Sequence, residues 1–273
     1  MGLPDALDAG AIRAALAAQG IALDVEVRAS CGSTNTELLE RTDGSSPALL
    51  LTEAQTAGRG RRGRRWHASP GAALMFSIRW PFPSGSGGLA GLSLASGVGL
   101  AKALRSLGAK DVALKWPNDL LAPASLGGGK LGGILIETRV APGHLSAVIG
   151  VGLNCRHTPG LEAKLKRPTA SLEDLLDPLP ARNLIAASVA GELVRTLQSF
   201  RDAGFGAFRG EWEAMHAHQG APLKVRVAGG RVVSGIADGI ATDGGLLLRT
   251  RSGIQAIHSG TVVRRTADRS RVA

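Results

Sequence analysis

Gly58-Arg59-Gly60-Arg61-Arg62-Gly63-Arg64-Arg65-Trp66 is the stretch on which the reading of this chain turns. It places five arginines among three glycines and ends on an aromatic. Glycine lets the backbone approach a ligand closely, and arginine offers a planar fork of donors suited to carboxylate and phosphate. Such a loop suits a polyanion. Read alone, it is equally a patch for nucleic acid or a localisation signal.

Its neighbours shift the balance. Ser33-Thr34-Asn35 lies upstream. Downstream come Lys115-Trp116-Pro117-Asn118-Asp119, then Gly129-Lys130-Leu131-Gly132-Gly133-Ile134, then Gly150-Val151-Gly152-Leu153-Asn154. Simple basic tails do not carry such ordered companions.

The net charge of +10 is concentrated. Half of it is the arginine loop, and Arg264, Arg265, Arg269 and Arg271 supply most of the rest. A focused charge suits a small anionic ligand better than a nucleic-acid track. Aromatics make up 3% of the chain, too few for base-stacking platforms. Hydrophobic residues are 44% of 273, enough for a large domain and a small one, with aliphatic side chains filling the core. Two cysteines, Cys31 and Cys155, make no disulfide framework, and the six histidines show no ligand spacing. The N-terminus lacks signal-peptide form and no apolar run is long enough for a membrane span, so a cytoplasmic protein is expected.

Periodicity predicts helices over 7–19, from Ser33 or Thr34 onward, from the Pro83–Gly88 loop to near Gly108, over 183–201 and over 208–217. Thr34 to Glu37 has capping-box form. Strands are expected over 25–28, 47–54, 72–80 and 112–115, with Leu74, Phe76 and Ile78 alternating in the third. A hairpin is expected over 131–154, turned at 141–143. From Pro222 onward, short β-rich runs separated by glycine pairs predict a small antiparallel barrel.

With these motifs together, the whole chain resembles the biotin–protein ligases. The resemblance implies an α+β fold: a mixed sheet flanked by helices, like class II synthetases, over 1–218, an SH3-like barrel over 219–266, and a basic tail over 267–273. It implies that biotin and ATP, with Mg²⁺, give biotinyl-5′-adenylate, and that a lysine of a carboxylase's biotin carboxyl carrier domain then takes the biotin. A carboxylate must approach a triphosphate in this reaction, so preorganised cations are needed.

Residue by residue, the resemblance places biotin against Ser33, Thr34, Asn35, Gln55, Arg59, Gly60, Arg61, Trp66, Lys130 and Gly133. It places ATP or the adenylate against Arg59, Arg61, Arg64, Lys115, Asn118 and Asn154, the metal at Asp119, and catalysis on Arg59, Lys115 and Lys130. From the residues alone, Ser33 and Thr34 read first as a helix cap, Asn118 and Asp119 read as a turn after Pro117, Asn154 as a strand-end turn residue, and Trp66 equally as a core residue. Arg62 and Arg65 read equally as solvated charges. The segment 168–172 offers no aromatic for adenine. Only 32 residues precede Ser33, so no winged-helix domain and no specific DNA binding are expected, and the protein is expected to be a monomer or weak homodimer. A lipoate or octanoate ligase or transferase, some using a cysteine as nucleophile, remains open, as does a non-enzymatic nucleic-acid binder.

Overall fold

Strongly apolar strands and Ala/Leu-rich helices alternate along the first three quarters of the chain. A computed structural model describes residues 5–41, 46–83, 88–141 and 144–263. The elements run α1 (Ala9–Ala17), β1 (Asp24–Arg28), α2 (Thr34–Glu40), β2 (Ala48–Thr52), β3 (Ala73–Phe82), α3 (Leu92–Ser106), β4 (Ala113–Lys115), β5 (Asp119–Leu121), β6 (Lys130–Ala141), β7 (His144–Asn154), α4 (Leu161–Leu165), α5 (Arg182–Ala203) and α6 (Arg209–Ala214). Strands β1 to β7 form one sheet in the order β1-β2-β3-β7-β6-β5-β4. Only the β1–β2 pair is parallel, so the sheet is mixed. Strands β8 (Pro222–Arg226), β9 (Val232–Ile240), β10 (Leu246–Thr250), β11 (Gly253–Ile257) and β12 (Thr261–Val263) form a separate antiparallel sheet, ordered β11-β10-β9-β8-β12. This is the expected α+β class with a small SH3-like β unit. The hairpin tip at 142–143, much of the loop before α3 and the tail beyond Val263 lie outside the described residues.

Three details differ from the expected pattern. Strand β3 does not alternate between core and solvent, because it is central and buried on both faces. Its neighbours carry α2 on one face, where Leu38, Ala48, Leu50 and Val148 form a small cluster, while the main core lies elsewhere. The capping box at α2 does not form. Ser33 makes no side-chain cap bond, and Glu37 instead pairs with Arg28 at 2.6 Å. The segment Lys115-Trp116-Pro117-Asn118-Asp119 is a hairpin turn rather than a strand end. It joins β4 to β5 and sets Lys115 directly across from Asp119.

The N-terminal segment is stitched to α5. Helix α5 begins after Ala181, which has no capping side chain, and the Asp5 carboxylate accepts the Arg182 N–H at 3.1 Å. The Arg182 guanidinium is fully buried and donates to both oxygens of Glu53 and to the Asp5 carbonyl. Burial alone would push the Glu53 carboxyl up, but Arg182 and the Leu7 N–H hold it below its ordinary value. Glu53 directly follows β2, two residues before Gln55, so this network anchors the strand end from which the arginine loop departs. Among the described residues no helix is long and apolar enough to cross a membrane.

Candidate active site

The site forms where the sheet lacks side chains. One register row crosses the sheet through Lys115, Asp119, Gly133, Gly152 and Met75, and a neighbouring one through Leu135, Gly150 and Ser77. A methyl group at Gly150 would come 2.2 Å from Asn35 Oδ1, at Gly152 2.4 Å from the Trp66 ring, and at Gly133 2.8 Å from Lys130 Nζ. These three glycines make a depression in which other residues' side chains rest directly on the backbone. The pocket above it encloses about 980 Å³, including open solvent.

One end is polar and uncharged. Ser77 Oγ lies 2.6 Å from Asn35 Oδ1 and 2.7 Å from Thr34 Oγ1. Its single proton goes to the Asn35 carbonyl oxygen, which can only accept, and the Thr34 hydroxyl has Gln55 Oε1 as an acceptor at 3.3 Å. Gln55 Oε1 accepts the Thr34 N–H at 2.9 Å. Asn35 Nδ2 donates to Leu135 O and to Glu137 Oε2. Ser33, Thr34 and Asn35 are buried. Ser33 and Thr34, which read first as a cap, are thus arranged around a cavity.

The other end is cationic. Asp119 pairs with Lys130 and lies 3.9 Å from Lys115 Nζ. Arg61 donates to Asn118 Oδ1 at 3.3 Å, while Asn118 Nδ2 donates to Ile134 O at 2.7 Å. Lys130 Nζ lies 5.7 Å from the Trp66 ring centroid. Burial pushes the Lys130 ammonium below its ordinary pKa, against the opposing pull of Asp119. Burial and the adjacent Arg62 do the same to Arg61. Arg61, Lys115, Lys130 and Arg167 line the pocket with Asp119. An incoming anion relieves this crowding of cations.

The arginine loop bridges two parts of the molecule. Arg59 reaches outward to Glu137 Oε1 at 2.7 Å and to Thr36 Oγ1 at 3.2 Å. Arg62 donates to Ser259 Oγ and Thr261 Oγ1 at the start of β12, and Arg64 also reaches Thr261. Arg62 therefore does more than meet solvent, and it adopts the left-handed φ of 57° to do so. Arg65 binds the Thr56 carbonyl at 2.8 Å. Gly260, Thr261 and Val262 of the small β unit complete the pocket wall.

Every residue anticipated for biotin lines this pocket, as do Arg64, Lys115, Asn118 and Asp119. Asn154 does not. It lines a smaller adjoining pocket, and its Nδ2 donates to the carbonyls of Lys130 and Ala170. Ser77, Arg167 and Thr261 had no sequence signal, since each reaches the site only through sheet register or chain folding. Trp116 sits within a motif yet packs away from solvent, its indole N–H donating to Gly244 O of the small β unit. Asp119 is a single carboxylate already held by lysine, and the described residues contain no group of three His, Cys, Asp or Glu able to hold a metal. Burial raises the Cys31 thiol and pushes Cys155 up to about 12. Neither is poised as a thiolate nucleophile.

The chain is similar in sequence and in fold to known proteins. Residues 28–154 match the biotin/lipoate A/B protein ligase family and residues 220–265 match the biotin protein ligase C terminal domain. The bifunctional ligase/repressor BirA of Escherichia coli is 35% identical over 87% of this chain and 73% of its own length. The biotin--[acetyl-CoA-carboxylase] ligase of Mycobacterium tuberculosis is 34% identical, with 88% of each chain covered. The biotin protein ligase of Aquifex aeolicus in complex with biotin and ATP superposes with a TM-score of 0.74 at 27% identity, covering 89% of this chain and 99% of that one. The fold and pocket thus define a small-molecule ligase. The chain belongs to the biotin protein ligase family.

Proposed function

We infer that the protein is a biotin–protein ligase, which joins biotin to ATP as biotinyl-5′-adenylate and then passes biotin to a carrier lysine. The observation that carries this reading is the polarity of the pocket. An uncharged donor–acceptor end faces a cationic end across a glycine floor, matching a molecule that is a ureido ring at one end and a carboxylate at the other.

In this reading the ureido ring meets Ser33, Thr34, Asn35 and Gln55. The aliphatic chain of biotin lies over Gly133 and Gly152 beside Trp66. Lys130 receives the carboxylate. A carboxylate oxygen attacks the α-phosphorus, and pyrophosphate leaves with the electrons of the broken P–O bond. Lys115, Lys130 and Arg61 offset the charge that meets there, fixed in place before reaction. The carrier amine then attacks the acyl carbon and AMP departs. Arg59 stands at the rim, and exchanging Glu137 for adenylate phosphate would close the loop over the intermediate. One carboxylate is too little for a resident metal, so Mg²⁺ is read as part of the MgATP substrate, with Asp119 and Asn118 nearest to it.

The carrier is read as the biotin carboxyl carrier domain of a carboxylase, in the cytoplasm. We divide the chain near 218 into catalytic and barrel units, and read the protein as a monomer or weak homodimer without a specific DNA site. Sedimentation and promoter footprinting test those last two points. The function itself is tested by incubating the protein with biotin and MgATP and following biotinyl-adenylate by mass spectrometry, with lipoate and octanoate in parallel. A lipoyl or octanoyl adenylate in place of the biotinyl one would overturn the assignment.

A further inference from the structure

A second, smaller pocket adjoins the main one. It encloses about 280 Å³, including open solvent. The two share Trp66, Lys130, Arg65 and Arg167 as common walls. The far side of the smaller one is formed by Leu161 and Leu165 of α4, with Asn154 and Thr169. It is a small slot whose apolar walls are Trp66, Leu161 and Leu165, set among polar and charged side chains. The main pocket holds the cations and the acid.

A nucleotide that puts its base in the slot and its reacting phosphorus beside Lys130 must pass its ribose-5′-phosphate link through the shared wall. Arg167 stands at that wall. Its Nε is buried from solvent and has no hydrogen-bond partner. No carboxylate forms an ion pair with Arg167 among the described residues, unlike Arg41 and Arg182. A buried guanidinium donor without an acceptor is costly unless a ligand supplies one. Arg167 also lies close enough to Lys130 for the two charges to repel. An anion between them removes both penalties.

We propose that Arg167 is a nucleotide-binding residue, whose guanidinium donates to the α-phosphate of ATP and then of the adenylate. This rests on ATP being the co-substrate. The phosphate is preferred to stacking on the base because the orphaned Nε–H needs an acceptor, which a ring face does not supply well. The contact exists before and after adenylation, so it affects nucleotide retention more than the chemical step.

The test compares wild type with Arg167→Ala, Arg167→Gln and Arg167→Lys. Binding of the α,β-methylene analogue of ATP, which cannot lose pyrophosphate, is measured by calorimetry at saturating biotin. Biotin affinity, the KM for ATP, kcat and adenylate dissociation are measured alongside, with thermal melting to verify folding. Removing one charge-assisted hydrogen bond is expected to weaken analogue binding and raise the KM for ATP roughly ten- to a hundredfold. Adenylate should leave faster by a similar factor, with biotin affinity within about twofold of wild type. Gln, polar but neutral, should resemble Ala, and Lys should fall between Ala and wild type. Wild-type analogue affinity in folded Arg167→Ala, or in Arg167→Gln, overturns the proposal. So does an equal loss of biotin affinity, which would mark a general packing role. Analogue binding is read without turnover. If wild type made no biotinyl-adenylate yet Arg167→Ala still lost the analogue, the ligase reading would fail and the Arg167 assignment would stand.

Discussion

Lys115 and Lys130 share one carboxylate, Asp119, but sit differently. Lys130 is nearly enclosed and closely paired, whereas Lys115 is the more exposed and lies 3.9 Å from the acid. Held near the acid yet less enclosed, its ammonium is placed beforehand to meet charge as it develops. Lys115→Ala is therefore expected to leave biotin affinity near wild type and to slow single-turnover adenylation by on the order of a hundredfold. Wild-type rates in both adenylation and transfer would make the lysine structural. A fall in biotin affinity alone would move catalysis to Lys130. The kind of chemistry was legible here, because lysine, arginine and asparagine in dense short motifs have few structural uses. Which carboxylate they share was not legible, since it depends on Asp119 facing Lys115 across a turn and Gly133 across the next strand pair.

At the scale of elements, the glycines of β6 and β7 and the arginine loop do the shaping. Gly152→Ala would drive a methyl into the Trp66 ring at 2.4 Å. Overpacking of this kind costs about 1–3 kcal/mol, and here the ring would have to move into the pocket. The expected result is biotin affinity reduced at least tenfold with only a modest fall in melting temperature; unchanged affinity by calorimetry would refute the glycine floor. The loop is tied to β12 through Arg62 and Arg64. Arg62→Ala should free it and speed tryptic cleavage between Arg59 and Arg65. Biotin with ATP should restore protection, and cleavage rates equal to wild type without ligand would show that the ties hold nothing. The loop was legible as an anion cradle. Its attachment to a strand nearly two hundred residues later was not, because serine and threonine hydroxyls carry no sequence mark of what they meet.

Across the whole molecule, one apolar core runs from α1 through Trp116 to Val225, Leu246 and Val262 of the small β unit. Unfolding should therefore be a single transition, with tryptophan fluorescence and far-ultraviolet circular dichroism coinciding. Trp116→Ala should cost about 3–5 kcal/mol, the usual loss for a large buried aromatic. Two separated transitions in the wild type would contradict that coupling. The Asp5–Arg182–Glu53 network adds a pH dependence. The Glu53 carboxyl sits below its ordinary value of 4.5 in the fold, so its contribution is complete above that value and fades as pH falls through the folded-state pKa. Glu53→Gln removes the closer of the two acidic partners of buried Arg182, leaving Asp5 at 3.6 Å, and a loss of about 3 kcal/mol at pH 7 is expected. The mutant and wild-type stability curves should converge as pH falls through the folded-state pKa of Glu53. A gap that stays constant through that range would mean the carboxylate charge is not what matters.

Sequence by itself determined the class of elements, the antiparallel run after Pro222 and the chemistry of the ligand, because apolar period, turn residues and charged motifs act over a few neighbouring positions. Tertiary structure alone decided the rest. Strand β3 is buried on both faces because it is central, a matter of strand order rather than of its own residues. Ser33 lines a cavity instead of capping a helix, as the described contacts leave its side chain no cap bond. Arg62 and Trp116 join the two sheets, and Arg167 stands between two pockets. Each depends on which distant backbone comes alongside, and long-range packing is set by the sum of many weak apolar contacts that no short stretch of residues records.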